Sequence, residues 1–306
     1  MNQPARAGQK RSIRFWASFL LTFKVEIIKN LHISQTIYIF ILMKAKYSIA
    51  LRAALEAGRA ILEVYGKEDF GVEFKDDQSP LTIADQRAHQ IIVEHLAETG
   101  IPVLSEEGQQ IPYAERSAWN QFWLVDPLDG TKEFIKRNDE FTVNIALVEE
   151  QKSMFGVVYA PVLKELYVGI SGRGAYQCRE EKNLNQPLDY LLQFSDALPL
   201  EQADSKLFRV VASRSHYNEE TKNFVEALDS QGKEISLVSK GSSLKLCMVA
   251  TGEADIYPRL GPTMEWDTAA AHAVVKAAGK NVYRIDTGEE LSYNKENLLN
   301  PYFVVK

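Results

Sequence analysis

The chain has 306 residues, 45% apolar and 25% charged, with no low-complexity tract, which fits a soluble globular protein with one large or two medium domains. A net charge of −6 excludes a general nucleic-acid surface, which is basic, but leaves room for a small anionic substrate whose pocket is reversed in sign by metal ions. Cys178 and Cys247 stand far apart, so there is neither a disulfide framework nor a zinc cluster, and a reducing cytoplasm fits best.

The first 42 residues carry six basic side chains against one acid, Glu26, and two apolar bursts, Phe15 to Phe23 and Ile37 to Met43. Neither burst approaches the ~20 residues that cross a bilayer. Three readings stand for this extension. It is an upstream stretch ahead of a true start at Met43, which the helical pattern directly after Met43 favours. Alternatively it is a basic anchor giving peripheral contact with the inner face of a membrane, or a signal peptide lacking a small-x-small cleavage site.

Tyr47 to Tyr65 predicts a helix stopped by Gly66, and Phe70 to Phe74 a short strand. A polar loop from Lys75 leads into a helix over Ile83 to Glu98. Thr82-Ile-Ala-Asp85 has capping-box spacing; the functional alternative makes Asp85 a general base. Ile101 to Leu104 is an apolar run that stops at Ser105-Glu106-Glu107-Gly108.

Phe122 to Val125 predicts a buried strand ending on Asp126-Pro-Leu-Asp-Gly-Thr131. Asp126 and Asp129, three residues apart on a turn stiffened by Pro127 and freed by Gly130, can point the same way. Such a pair repels itself unless a cation lies between, and an all-oxygen set favours a hard ion such as Mg²⁺. A plain strand-ending turn is the alternative, whereas an EF-hand fails because its twelve-residue loop has no counterpart here.

Phe141 to Val148, Met154 to Tyr159 and Glu165 to Ile170 predict an antiparallel sheet. The polar stretch from Asn183 to Ser205 suggests a boundary, giving an extension over 1–42, an α+β metal-binding domain over 43–200 and an α/β substrate-side domain over 201–306. Beyond it, strands over Phe208 to Ala212 and Ile235 to Val238 alternate with helices over Glu219 to Ser230, Ser243 to Thr251 and Trp266 to Ala278. Asp267 opens the last helix, where it serves equally as an N-terminal cap.

Lys75-x-Asp-x-Ser-Pro-x-Thr-x-x-Asp85, Ser105-Glu-Glu, Asp126-Pro-Leu-Asp-Gly-Thr131 and Trp266-Asp267 occur in one order, and over residues 43 to 306 the chain resembles the inositol monophosphatase superfamily of magnesium-dependent, lithium-sensitive phosphomonoesterases. The resemblance implies a layered α-β-α-β-α sandwich, mixed α+β and α/β. Asp-Gly-Thr-Lys-Glu-Phe134, Ser213-Arg-Ser-His216, Gly241-Ser-Ser-Leu-Lys245 and Tyr257-Pro-Arg259 are closer to the bacterial 3′(2′),5′-bisphosphate nucleotidases. Those enzymes remove the 3′-phosphate of adenosine 3′,5′-bisphosphate, a by-product of sulfate assimilation.

Carried over, the resemblance implies two or three Mg²⁺ ions on Glu106, Asp126, Asp129, Asp267 and the Leu128 carbonyl, with Asp85 and Thr131 activating water. Backbone N–H groups after Gly130 would receive the phosphate. Ser213, His216, Gly241, Ser242, Ser243, Lys245 and Arg259 would face the nucleotide, the two cations meeting its second phosphate. The implied partner is a small nucleotide and no nucleic-acid polymer; the family includes monomers and dimers. An inositol or sugar phosphatase is the runner-up, and a non-catalytic metal- or nucleotide-binding module is the alternative from another class.

Overall fold

The apolar runs expected as strands between residues 101 and 170 join into one central sheet. The computed structural model describes residues 35–67, 71, 73–74, 80–184, 186–200, 207–212, 218–229, 232 and 234–306. Its first half comprises α1 (Gln35–Tyr65), β1 (Glu73–Phe74), β2 (Pro80–Leu81), α2 (Ile83–Ala97), β3 (Val103–Ser105), α3 (Tyr113–Arg116), β4 (Gln121–Asp129), α4 (Thr131–Ile135), β5 (Thr142–Glu149), β6 (Lys152–Ala160), β7 (Glu165–Ile170) and β8 (Gly174–Cys178). There follow α5 (Glu181–Leu184), α6 (Leu188–Gln193), β9 (Asp196–Leu198), β10 (Leu207–Val211), α7 (Glu219–Asp229), β11 (Glu234–Val238), α8 (Leu244–Thr251), β12 (Tyr257–Arg259), α9 (Glu265–Ala277), β13 (Val282–Arg284) and β14 (Phe303–Val305).

The central sheet has the order β3-β4-β5-β6-β7-β8-β9, parallel between β3 and β4 and antiparallel elsewhere. Period-two alternation splits its side chains between two helical layers. Phe122, Leu124, Ala146, Val148 and Val158 share a core with Cys247 and Ala250 of α8 and Ala270 and Val274 of α9. On the other face Trp123 donates from Nε1 to Thr99 Oγ1 at 3.0 Å, and Phe155 stacks on Tyr47 at 4.2 Å between ring centroids.

Beyond α8 and α9 lies the small sheet β12-β14-β13. Phe303 and Val305 of β14 join the main core, whereas Val304 between them joins Val210, Val225 and Ile256 in a second cluster against α7. The layers therefore run α-β-α-β-α.

Two glycines set how closely α9 lies on the sheet. A Cβ at Gly156 of β6 would overlap the Ala270 carbonyl, and one at Gly169 of β7 would overlap the Val274 nitrogen and Ala273 carbonyl. The Ala-rich run Ala269-Ala270-Ala271 is the matching surface on the helix. Without these small residues, Asp267 at the start of α9 would stand farther from the sheet.

Several expectations are corrected. The boundary at residues 200 and 201 does not divide two units: Tyr47–Lys306 is one compact unit, because α8 and α9 build their core on strands from the first half. The residues before Tyr47 count as a separate unit, and of the 1–42 extension residues 1–34 lie outside the described residues. Helix α1 starts at Gln35 rather than Tyr47, and among the described residues no helix is long and apolar enough to cross a membrane. Strand β4 continues through Asp126 to Asp129 instead of ending there.

Gly156→Ala should lower stability by about 1–3 kcal/mol, the usual cost of overpacking. Gly66→Ala, whose new methyl meets only the Leu62 carbonyl at 3.6 Å, should change it little. Denaturant midpoints of the two variants check this, and an unmoved midpoint for Gly156→Ala would show that α9 does not need this closeness.

Candidate active site

The register between β4 and β5 decides where the two aspartates of the turn point. Asp126 lies opposite Asn144 and Asp129 opposite Thr142, so three steps on β4 match two on β5. In a regular strand residues three apart face opposite sides; one extra residue in a bulge restores them to the same side. Pro127 has no N–H for the ladder and sits within the bulge. Asp126, Asp129, Thr142 and Asn144 thus share the face that meets α9.

Glu106 follows β3, whose parallel pairing with β4 aligns the two strand ends, and its backbone N–H donates to the Val125 carbonyl at 3.1 Å. Asp267 is the third residue of α9 and accepts from Met264 N at 2.8 Å, so the capping expected of it is real. Glu106, Asp126 and Asp267 each bring a carboxylate oxygen within 4.8 Å of the others. Two unit charges at that spacing repel by roughly 3 kcal/mol at an effective dielectric constant of about 20. Burial first, then the charges of Glu106, Asp129 and Asp267, pushes the Asp126 carboxyl well above its ordinary value. Asp267 is raised likewise, by burial and then by Asp129 and Glu106. A hard divalent cation fits this all-oxygen set and removes the repulsion.

Asp85 does two jobs, one with each oxygen. Oδ2 accepts from Thr82 N at 2.7 Å and Thr82 Oγ1 at 2.5 Å, completing the capping box of α2. Oδ1 accepts from Thr131 Oγ1 at 3.2 Å, and that hydroxyl also lies 3.3 Å from the Leu128 carbonyl. Burial raises the Asp85 carboxyl, and the hydrogen bonds from Thr82 and Thr131 oppose the rise. The capping reading of Asp85 therefore holds, and its second oxygen is left in contact with Thr131. Gly130 precedes Thr131 with φ of +95°, a backbone state that favours glycine.

Asp129 stands beside the three-carboxylate group rather than in it. Its Oδ2 accepts from Ser242 Oγ at 2.6 Å, Ser243 N at 2.7 Å, Ser243 Oγ at 2.8 Å and Asn144 Nδ2 at 3.3 Å. Ser242 and Ser243, expected to face a nucleotide, are thus bound first to a carboxylate, although they also line the cavity there. Gly241 admits this turn, since a Cβ would come 2.6 Å from the Glu140 carbonyl.

The same cavity is lined by Asp129, Gly130, Lys245, Tyr257, Arg259 and Asp267. Lys245 is buried, which lowers its ammonium to about 8 against the opposing pull of Asp129. Arg259 donates from Nη2 to the Pro262 carbonyl at 2.8 Å, while its buried Nε has no hydrogen-bond partner among the described residues. An anion in the cavity would satisfy both.

Ser213 and His216 lie outside the described residues. Sequence reasoning missed Thr142 and Asn144, whose signal was two polar residues at alternate positions of an otherwise apolar strand. It also missed Glu265, which is fully buried and accepts from Asn294 N at 2.5 Å and Lys295 Nζ at 2.5 Å, fixing the start of α9. Nothing local marks such a residue, because its partners lie about thirty positions away.

The model of the inositol monophosphatase family matches residues 43–302. The chain is 46% identical over 256 residues to the 3′(2′),5′-bisphosphate nucleotidase CysQ of Salmonella typhimurium, covering 82% of this chain and 96% of that protein. The CysQ crystal structure from Bacteroides thetaiotaomicron is 50% identical with a TM-score of 0.79, covering 86% of this chain and 97% of that one. SuhB from Bartonella henselae, at 23% identity and a TM-score of 0.64 over 85% of this chain and 93% of that one, shares the fold.

The raised carboxyls of Asp126 and Asp267 make a pH prediction. Both hold protons to higher pH in the folded chain than in the unfolded one, so the stability they lend is full below the ordinary carboxylate range near 4 and is lost as pH rises through the raised values. With a chelator present, Tm should fall across that rise; saturating Mg²⁺ should abolish the fall, and Asp126→Asn should flatten it. A Tm in chelator that is flat with pH, and unmoved by Mg²⁺, would rule out stored repulsion here.

Proposed function

The chain belongs to the inositol monophosphatase family, and within it we propose that it hydrolyses the 3′-phosphate of adenosine 3′,5′-bisphosphate to AMP and phosphate. The observation that carries the nucleotidase reading, beyond 46% identity to a bisphosphate nucleotidase, is one cavity lined by side chains of both signs. Asp129, Glu133 and Asp267 supply the acids, and Lys245 and Arg259 the cations. A substrate with two phosphates matches both; a monophosphate leaves the cations unpaired.

The family is metal-dependent, typically on Mg²⁺, and the residues here suit that ion. Glu106, Asp126 and Asp267 would hold it, with Asp129 and the Leu128 carbonyl beside them, and two or three ions are proposed. When bound, the metal polarises the phosphoryl oxygens and neutralises charge on the leaving oxygen.

The chain's own residues do the rest. Thr131 donates its hydroxyl hydrogen toward Asp85 Oδ1, which leaves the Thr131 oxygen to accept from a water. As that water attacks phosphorus its proton passes to Thr131, whose own proton passes to Asp85; the raised carboxyl of Asp85 makes it the better acceptor. The P–O3′ bond breaks and the ribose oxygen leaves with a proton from solvent. Lys245 and Arg259 orient the nucleotide by its 5′-phosphate as charge-assisted donors.

Comparing kcat/KM for adenosine 3′,5′-bisphosphate and inositol 1-phosphate tests the substrate class; a preference for inositol phosphate would overturn it. Asp126→Asn should abolish phosphate release, and full turnover in that variant would exclude the metal mechanism.

The depressed ammonium of Lys245 adds a pH signature: as pH passes about 8 the charge is lost and KM for the bisphosphate should rise. KM for adenosine 3′-monophosphate should not follow it. In Lys245→Ala the pH-dependent rise should disappear, and its persistence would assign the titration elsewhere.

A further inference from the structure

We infer that the Ser243 hydroxyl is a positioning group that ties the two halves of the metal site together, an inference that rests on the metal-site reading above. Ser243 begins α8, where a serine ordinarily turns its oxygen to an orphan N–H of the first helical turn. Here its side chain makes no cap hydrogen bond. The hydroxyl, on a residue only 2% exposed, instead lies 2.8 Å from Asp129 Oδ2 and 2.6 Å from the backbone carbonyl of Asp267. Asn144 Nδ2 donates into it at 3.0 Å.

Asp129 ends β4 and Asp267 opens α9, so one oxygen spans the strand end and the helix start that carry the acids. Ser242 just before it has φ of +52°, a left-handed state that costs a non-glycine residue energy. The strained turn aims both hydroxyls at Asp129.

The two serines are not equivalent. Ser242 Oγ gives Asp129 a shorter bond, 2.6 Å, and contacts Thr142 Oγ1 at 2.5 Å. Only Ser243 reaches Asp267. Its single hydrogen serves one acceptor at a time, while Asp129 Oδ2 keeps Ser242 Oγ and the Ser243 N–H in either case. Loss of the Ser243 hydroxyl would therefore leave Asp129 held and remove the link from α8 to the Asp267 carbonyl. If the serines served only to hold Asp129, loss of the Ser242 hydroxyl should cost more.

Direct Mn²⁺ binding to the full chain without substrate, followed by the paramagnetic resonance of free Mn²⁺, separates these roles. Ser243→Ala should raise the Mn²⁺ Kd about tenfold or more, the usual effect of losing a partner that orients metal ligands. Ser242→Ala should raise it less, and Ser243→Thr, which keeps the hydroxyl, should restore affinity.

Parent-like Mn²⁺ affinity in a folded Ser243→Ala chain, or equal losses in both alanine variants, would overturn the bridge. A raised KM with unchanged Mn²⁺ affinity would also overturn it, by making Ser243 a substrate contact. A parent chain that binds no Mn²⁺ would remove the metal site, and the bridge with it.

Discussion

The closeness of α9 to the central sheet is the constraint on which the site depends. Gly156 and Gly169 leave no side chain under the helix, and Ala270 and Ala273 present small surfaces in return. Dispersion and burial along this contact hold the helix down, since densely packed small residues lose little side-chain entropy. The consequence at the helix start is chemical: Asp267 is carried into reach of Asp126 and Glu106, groups it would otherwise avoid. Apolar packing at one end of a helix thus opposes charge repulsion at the other.

The arrangement around those acids consists of residues with two functions each. Asp85 caps α2 through one oxygen and holds Thr131 through the other, so the helix start and the Thr131 hydroxyl are fixed by one side chain. Asp267 reaches back to Met264 N while standing among the carboxylates. The bulge at Asp126–Asp129 breaks the ladder and turns two acids to the same face. Shared duties make the geometry rigid, because a side chain cannot leave its chemical post without also releasing a helix end or a strand register. Rigid placement matters where a reacting group displaced by a fraction of an ångström loses much of its rate advantage.

How much of this was legible in sequence depended on the range of the cause. Helices α2, α7 and α9 were read within a residue or two of their ends, since caps, glycines and apolar period are local signals. Strands β12, β13 and β14 span three residues each, too short for any period to show. Glu106, Asp126 and Asp267 were placed by motif order, and the packing of α9 on the sheet brings them together. The sharing of duties was less legible. Ser242 and Ser243 were assigned to substrate because a motif says only that residues matter, whereas their bonds to Asp129 arise from a contact more than a hundred positions away. The continuation of β4 through Pro127 was hidden for a similar reason: proline reads as a stop unless a neighbouring strand can absorb a bulge.

The two signs of charge in the cavity bear on selectivity as well as binding. The acidic part is unfavourable until a cation occupies it, and the paired part of Lys245 and Arg259 is unfavourable until an anion does. Burial depresses the Lys245 ammonium for that reason, and Arg259 Nε is left without a partner. Each set of charges is therefore suited to a ligand of opposite sign, and on the proposed reading selectivity follows from meeting both sets rather than either alone. On the proposed reading a small sugar monophosphate satisfies the metal but gives Lys245 and Arg259 Nε no anionic partner, a cost that would appear in its affinity. A nucleotide carrying phosphate on both sides of the ribose would meet both sets at once. In the proposed function Lys245 and Arg259 would thus be the residues that separate a bisphosphate nucleotidase from an inositol phosphatase built on the same acidic framework.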